Sequence, residues 1–220
     1  MPVGPAGLAR RFLRRGFVGP RFEGLVGRLR FAFQELLWRR DVMLVATPET
    51  AAPPVAIETG LRLELAADFA ALAPHAAMLD ADYYPGFTAR FREPFAWGET
   101  LALLTTGERV AGFAWLQRGT REGYRYYAGT LLPGDARVLR VGVPPSQRRR
   151  GYSTTLLILL LDHLFHAGAQ RVFAEVNRDN LPSLQAFTAA GYRRIGEITV
   201  LGPLLGGFIH WGRATAGDRH

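Results

Sequence analysis

The chain has 220 residues, 48% of them hydrophobic and 21% charged, which is enough apolar material for a sizeable buried core. It has no cysteine, so disulfides, thiolate metal ligands and a catalytic thiol are excluded. All of its basic residues are arginine, and most of the net charge of +8 lies in residues 1–40, which hold nine Arg and two Glu.

Residues 1–40 are predicted to form a basic amphipathic helical arm. Apolar side chains follow the i, i+3, i+4, i+7 spacing of one helix face, at Phe22, Leu25, Val26, Leu29, Phe33, Leu36 and Leu37. Three interpretations stay open. The helix packs on the body or on a second subunit, as in a homodimer; it lies on an anionic membrane surface; or it binds nucleic acid through phosphates, which so many Phe and Leu side chains disfavour.

No apolar run approaches the ~20 residues that a bilayer-spanning helix needs. Arginine interrupts the first forty residues too often for a signal-peptide core, and the lack of cysteine is compatible with a cytoplasmic protein. We expect a cytoplasmic location, with the inner face of the membrane as the alternative. The Pro- and Ala-rich segment 47–54 predicts a boundary between arm and body. The predicted division is an arm at 1–40, a strand and linker at 41–59, and the main domain at 60–220.

Beyond the arm, strand-like and helix-like patterns alternate. The predicted strands are 42–46, 61–65, 100–105, 110–117, 138–143, 171–176, 193–200 and 208–214. The predicted helices are a segment capped by Asp68 and running to about Met78, part of 82–97, and the segments 152–166 and 180–190. Strands 100–105 and 110–117 form a hairpin, which 124–130 would extend. This order predicts an α/β fold with a mixed sheet and helices on both faces.

One turn carries the chemical signal. The strand that ends at Val143 is stopped by two prolines, and a run of three arginines (148–150) then leads through Gly151 into a helix. Helix N-termini present N–H groups that bind phosphates, and glycine lets the backbone approach a ligand closely. The turn fits neither a Walker loop nor a Rossmann turn, whose residues are absent. It predicts a di- or polyphosphate site, against the alternative of a solvated arginine cluster at a helix cap.

The chain here resembles the GCN5-related N-acetyltransferase (GNAT) superfamily over roughly residues 60–214. The superfamily signature is Arg/Gln-x-x-Gly-x-Gly/Ala after a strand, and this chain has Arg148-x-x-Gly151-x-Ser153, with Val143-x-Pro145 before it. A second block follows in register, at Glu175, Val176, Asn180, Ser183, Phe187, Gly191 and Tyr192. The resemblance implies the acyl-CoA N-acyltransferase fold: a mixed, mostly antiparallel central sheet with helices on both faces, here preceded by the arm.

The resemblance also implies roles for individual residues. The cofactor-binding positions would be Val141, Gly142, Val143, Arg148, Arg149, Arg150, Gly151, Tyr152, Ser153, Asn180 and Ser183. Strand 141–143 would offer backbone groups to the pantetheine and thioester, and residues 149–153 would hold the pyrophosphate. Asn180 is also a good helix N-cap. Glu175 would be the catalytic general base, because an attacking amine must first lose its proton; a structural glutamate is the equally weighted alternative.

The chain departs from the superfamily at Phe187, where many members have a tyrosine that protonates the departing thiolate. Another tyrosine (Tyr126, Tyr127 or Tyr152) or water could replace it, the thiolate could leave unassisted, or catalysis could be weak. Asp80 and Asp82 fall on the expected acceptor side and could attract a cationic amine. Two neighbouring aspartates more often form a solvated acidic loop, which is the alternative interpretation. His163 and His166 lack a third ligand, so no metal is expected.

Two functions follow as hypotheses. The first is an enzyme that transfers an acyl group from acetyl-CoA, or another acyl-CoA, to a primary amine on a small molecule or a peptide. The alternative is a catalytically weak acyl-CoA-binding module, anchored at a membrane or in a complex by residues 1–40.

Overall fold

The computed structural model describes residues 38–52, 60–107, 109–118, 131–201 and 209–211. The predictions for the basic arm, for strand 124–130 and for Tyr126 and Tyr127 lie outside these ranges. The chain divides into two compact units, one made of Met43–Tyr124 with Gly129–Arg194 and one of Met1–Val42, Arg125–Ala128 and Ile195–His220.

The helices and strands follow the predicted order, with shifted ends. The strands are β1 (Trp38–Ala46), β2 (Leu61–Ala66), β3 (Thr100–Thr106), β4 (Arg109–Arg118), β5 (Asp135–Gly142), β6 (Arg171–Asn177), β7 (Arg193–Leu201) and β8 (Ile209–Trp211). The α-helices are α1 (Phe69–Tyr83), α2 (Arg92–Ala96), α3 (Tyr152–His166) and α4 (Leu181–Ala189), and short 3-10 turns cover Thr88–Phe91 and Pro145–Gln147.

The larger unit contains the sheet, in the order β2-β3-β4-β5-β6 with the second half of β1 next to β6. Strands β2 to β5 pair antiparallel in succession, while β5 and β6 are parallel. This confirms the mixed, mostly antiparallel sheet. In the smaller unit, β7 pairs antiparallel with β8.

Helices cover both faces of this sheet. Successive residues of β3 and β4 point to opposite faces, and nearly all of them are buried, so each face needs a covering layer. One face forms a core with α1, the 3-10 turn Thr88–Phe91 and α2. The residues buried there include Leu72, Leu79, Phe87, Phe91, Leu101, Leu103, Phe113 and Trp115. On the other face, a Cβ placed on Gly112 would lie 3.4 Å from Leu156 of α3. The prediction of helices on both faces is therefore confirmed.

The predicted boundary at residue 40 falls inside β1, which begins at Trp38 rather than at Val42. Strand β5 likewise begins at Asp135, three residues before its predicted start, and ends at Gly142. Helix α1 continues to Tyr83, past its predicted end at about Met78, and Asp68 caps it by accepting a hydrogen bond from the N–H of Ala71 at 2.8 Å. The division of the chain into arm, linker and main domain stays a prediction.

Candidate functional site

Strands β5 and β6 part at their carboxyl ends. They pair in parallel register from Asp135 and Arg171 up to Val138 and Ala174. Beyond that point β5 continues to Gly142 and β6 to Asn177 with no further register pairs among the described residues. A wedge bordered by backbone groups of both strands is therefore built into the larger unit.

A bulge on the other side of β5 explains why the strands part. Gly142 lies opposite Phe113 and Leu139 lies opposite Trp115, so β5 holds one more residue than β4 in this interval. Arg140 sits in the bulge with a φ of 48°, a left-handed conformation that non-glycine residues rarely adopt. A bulge bends its strand and increases the local twist, which carries the end of β5 away from β6.

Gly142 is required by its neighbour across the strands. A Cβ at this position would lie 2.6 Å from Cε1 of Phe113, well inside contact distance. The Phe113 ring in turn packs among the rings of Tyr83, Phe87 and Phe91, with centroids 5.5 to 6.1 Å away. The aromatic cluster under α1 thus reaches the backbone at the mouth of the wedge.

The arginine-rich turn follows directly. Pro145–Gln147 form a 3-10 turn, the Arg148 Nε donates to the carbonyl of Val143 at 3.3 Å, and Arg149 and Arg150 are exposed. Arg149 and Gly151 have φ values of 66° and 76°, and Gly151 is the N-cap of α3 with no side-chain cap. The turn therefore brings cationic side chains to a helix N-terminus, where backbone N–H groups and the helix dipole favour an anion.

Space for a ligand exists at this turn. A Cβ built on Gly151 would meet no heavy atom within 4 Å. Ser153 is half-buried in the first turn of α3, whereas the Tyr152 side chain is only 5% exposed and belongs to the core. The turn and the wedge thus suit a long ligand that has a pyrophosphate at one end and amide groups along its length.

Glu175 is the first residue of β6 beyond its last pair with β5. Its Oε1 lies 3.3 Å from the Nε of Arg137, and the two side chains are 2% and 6% exposed. The structure therefore gives Glu175 a buried ion pair, and its role as a general base stays a prediction.

Asn180 stands at the entrance of α4. Its Oδ1 accepts a hydrogen bond from the N–H of Ser183 at 3.4 Å, with Pro182 in the first helical turn, so the predicted N-cap is confirmed. The predicted contacts of Asn180 and Ser183 with a cofactor stay predictions.

Phe187 is 3% exposed, and its ring packs edge-on against Tyr192 at a centroid distance of 4.9 Å. Sequence reasoning missed Tyr83, whose ring stacks on Phe87 at 4.1 Å. Burial raises the pKa of the Tyr83 phenol, and the nearby charge of Arg148 partly offsets that rise. The aromatic-rich composition of 82–97 was the available signal, but nothing local connects this segment to Arg148.

The two aspartates at the end of α1 do not form a solvated loop, which corrects that expectation. Asp80 accepts from the N–H groups of Gly86 and Thr88 at 3.2 and 2.7 Å. Asp82 accepts from Ser146 twice, at Oδ2 from the hydroxyl (2.6 Å) and at Oδ1 from the N–H (3.4 Å). Asp82 therefore connects α1 to the segment that leads into the arginine-rich turn.

Within the described parts of the chain, no three His, Asp or Glu side chains come together as a metal site would require. The same residues contain no helix long and apolar enough to cross a membrane.

The family model described as Acetyltransferase (GNAT) family matches residues 67–192, more than half of the chain. The chain belongs to this family. That confirms the resemblance drawn from the turn and the second block, and the matched range contains the wedge, the turn, Glu175 and Asn180.

Mycothiol acetyltransferases are among the curated relatives. The one from Corynebacterium diphtheriae is 32% identical over 117 residues, which cover 52% of this chain and 36% of the relative. The one from Catenulispora acidiphila is 30% identical over 105 residues, or 48% of this chain and 32% of the relative. The chain thus matches about a third of the length of these relatives.

Solved structures agree on the fold. A GCN5-related glucosamine N-acetyltransferase region of a fungal multi-domain enzyme has a TM-score of 0.52 at 15% identity, covering 83% of this chain and 24% of that one. A functionally unknown conserved protein from Staphylococcus epidermidis has a TM-score of 0.51 at 8% identity, covering 83% and 68%. At such identities the likeness supports the fold and nothing more specific.

Proposed function

We propose that this protein is an N-acyltransferase that moves an acyl group, acetyl in the first instance, from acyl-CoA to the primary amine of a small molecule. The observation that carries the proposal is the wedge between β5 and β6. Strand β5 ends at Gly142, and after Val143 the chain enters the Pro-Pro segment and the arginine-rich turn at the N-terminus of α3. Membership in the acetyltransferase (GNAT) family supports the same reaction.

On the donor side, the chain supplies charge and backbone. The N–H groups from Arg149 to Ser153 hold the pyrophosphate, and the exposed side chains of Arg149 and Arg150 neutralise it. The backbone of 141–143 hydrogen-bonds the amide-containing arm and the thioester oxygen, which stabilises negative charge developing on that oxygen. Acyl-CoA, when bound, supplies an acyl group on a thioester that an uncharged amine can attack.

On the acceptor side, the amine must reach the thioester as a neutral nucleophile. Glu175 lies at the wedge and is proposed to remove the amine proton, directly or through a water molecule. Arg137, whose Nε lies 3.3 Å from Oε1 of Glu175, holds this carboxylate in place. The relatives named mycothiol acetyltransferase support a small-molecule acceptor, and a peptide amine is the alternative.

The buried Phe187 has no proton to give to the departing thiolate. A thiol has a pKa of ~8.5, so its anion is a tolerable leaving group without a donor at this position. This feature and the ion-paired state of Glu175 favour a second candidate function, an acyl-CoA-binding module with weak catalysis.

A matched pair of glycines tests the donor site. Gly151 and Gly168 flank the same helix, both have left-handed φ values (76° and 86°), and a Cβ at either would meet open space. Gly151→Asp places a negative charge in the turn, and we expect acetyl-CoA affinity to fall at least ~tenfold by calorimetry. Gly168→Asp carries the same charge and backbone strain at the far end of α3 and should leave affinity unchanged.

Thiol release from acetyl-CoA with a panel of amines then separates the two functions. Turnover on at least one amine is expected of the enzyme. Acetyl-CoA binding without turnover on any amine would support the binding module instead. Equal affinities for the Gly151 and Gly168 variants would show that the donor site is misplaced.

The basic arm is proposed to hold the protein at an anionic membrane surface. Because β1 begins at Trp38, the test should keep this strand and reverse charges in the arm, for example with Arg28→Glu and Arg30→Glu. Flotation with vesicles containing phosphatidylserine should fall in this variant; equal flotation would exclude the membrane role.

A further inference from the structure

A pocket of about 280 Å³ opens beside the segment that leads into the arginine-rich turn. Its walls come from the last two turns of α1, the start of β4 and the 3-10 turn at Pro145–Gln147, all in the larger unit. Met78, Ala81 and Val110 supply its apolar part, and Asp82, Arg109, Ser146 and Gln147 its polar part. The proposed function assigns no step to any of these residues, although the sequence places Asp82 on the expected acceptor side.

The pocket is lined by one anionic side chain, Asp82, and one cationic side chain, Arg109, which differ in their hydrogen bonding. Asp82 is held in place by the hydroxyl and the N–H of Ser146. Arg109 is exposed at the first position of β4, and no hydrogen bond or ion pair of its side chain occurs among the described residues. The anion is therefore preorganised, whereas no side chain in the described part of the chain engages the guanidinium.

This charge arrangement selects the ligand class. A simple anion would gain Arg109 but meet the carboxylate of Asp82, and a simple cation would meet the opposite conflict. A zwitterion satisfies both charges: its carboxylate can pair with the planar guanidinium in two parallel hydrogen bonds, and its ammonium can donate to Asp82. The volume lies near the lower limit of ligand pockets, which suits an amino acid rather than a nucleotide or a peptide.

We propose that this pocket binds the α-carboxylate and α-ammonium of an amino-acid-sized zwitterion, between Arg109 and Asp82. The side chain of the ligand lies on the apolar wall formed by Met78, Ala81 and Val110. An ammonium paired with Asp82 keeps its proton and cannot act as a nucleophile. The bound zwitterion is proposed to be distinct from the amine that accepts the acyl group, because the pocket is lined by α1, β4 and the 3-10 turn and not by β6, which carries Glu175.

The Asp82–Ser146 contact connects this pocket to the donor turn. Ser146 also accepts a hydrogen bond from Nε2 of the buried Gln147 at 3.3 Å, and Arg148 follows with its bond to Val143. An ammonium on Asp82 competes with the Ser146 hydroxyl for the same carboxylate. Occupancy of the pocket should therefore change the affinity of the turn for acetyl-CoA, and by linkage acetyl-CoA should change the affinity for the zwitterion by the same factor.

Calorimetry on the full chain without acetyl-CoA tests the site directly. The probes are glycine, alanine, serine, glutamate and arginine, with propionate and propylamine as compounds that carry one charge each. At least one amino acid should bind at least ~tenfold more tightly than both single-charge compounds, because each of those leaves one pocket charge unmatched. Equal binding of a single-charge compound, or no binding of any amino acid, would overturn the proposal.

Variants assign the two charges. Arg109→Gln should weaken amino-acid binding at least ~tenfold, while Arg118→Gln, at the exposed opposite end of β4, should leave it unchanged. Ser146→Ala keeps the carboxylate of Asp82 and should preserve binding within about threefold, whereas Asp82→Asn should abolish it. Thermal denaturation of each variant verifies folding. Retained binding in Arg109→Gln would contradict the assignment.

A final experiment distinguishes the zwitterion pocket from the acceptor site. Mass spectrometry after incubation with acetyl-CoA should show the tightest-binding amino acid unmodified. Its N-acetylation would overturn the separation of the two amines. Because binding is measured without a donor, failure here and failure of the proposed acyl transfer give different results.

Discussion

The Glu175 carboxylate lies 3.3 Å from the Arg137 Nε and joins β6 to β5 at the position where the two strands part. The last register pair is Val138 with Ala174, so the ion pair connects a residue just before the wedge to one just inside it. Both side chains are almost fully buried. The same contact can therefore hold the wedge in place and orient a catalytic carboxylate, and variants can separate these two roles.

Glu175→Gln should destabilise the protein by about 3–5 kcal/mol, because it removes the carboxylate of a buried ion pair and keeps the guanidinium of Arg137 buried beside a neutral amide. The double variant Arg137→Gln with Glu175→Gln removes both charges and should recover a large part of that loss. Urea denaturation measures both effects. If Glu175 is the general base, kcat stays low in the double variant although stability returns.

The control is Arg137→Gln alone, which keeps the carboxylate. It should lose stability but retain more of kcat than either variant that lacks Glu175. Recovery of both stability and kcat in the double variant would assign Glu175 to strand positioning and leave proton removal to water.

Gly142→Ala should cost about 1–3 kcal/mol, because the new Cβ would overlap the Phe113 ring and force it into a packed aromatic cluster. Gly112→Ala is the matched control on the facing strand, where the nearest atom to a new Cβ is at an ordinary 3.4 Å. Adding Phe113→Leu to Gly142→Ala should restore part of the loss, and a double-mutant cycle in urea gives the coupling. An additive cycle would rule out the contact as the cause.

Tyr192→Phe should stabilise the protein by about 1 kcal/mol at neutral pH, since its buried hydroxyl has no hydrogen-bond partner among the described residues. Burial also raises the pKa of this phenol above its ordinary value of 10.0. Above about pH 10 the phenol ionises in the unfolded chain, while the buried phenol of the folded chain keeps its proton. The free energy of unfolding of the wild type is therefore independent of this group below about pH 10 and falls as the pH rises above that value.

The stability advantage of Tyr192→Phe over the wild type, measured by urea denaturation, should therefore increase as the pH is raised from neutral to above about 10. Tyr84→Phe is the contrasting variant, because the Tyr84 hydroxyl accepts a hydrogen bond from Arg90 at 2.7 Å. It should lower stability at neutral pH. Destabilisation of both variants to the same extent would mean that the Tyr192 hydroxyl has a partner in solution.

Much of the fold was predictable because its signals are local. Helix α3 runs from Tyr152 to His166 as its composition predicts, and Asn180 caps α4 as a residue of its type does at that position. Strand β1 was the exception. Its first residues, Trp38 to Arg40, continue an arginine-rich amphipathic pattern, and pairing within a sheet overrides such a pattern.

The site was predictable only where a motif is contiguous. The turn from Arg148 to Ser153 is one stretch of chain, whereas the Asp82–Ser146 bond joins residues 64 positions apart. Arg137 gave no sequence signal, because an arginine on a strand indicates a partner only when the neighbouring strand and its register are known. The need for glycine at position 142 could not be predicted either, because it arises from the Phe113 ring on the neighbouring strand.

The parting of β5 and β6 has a consequence for measurement in solution. Two parallel strands that separate inside a sheet leave facing rows of amide and carbonyl groups, the arrangement by which a sheet accepts an additional strand. A linear ligand with its own amides would complete the ladder there. Hydrogen–deuterium exchange at 139–142 would then report occupancy of the wedge without any turnover, while exchange at 135–138, inside the paired ladder, serves as an internal standard.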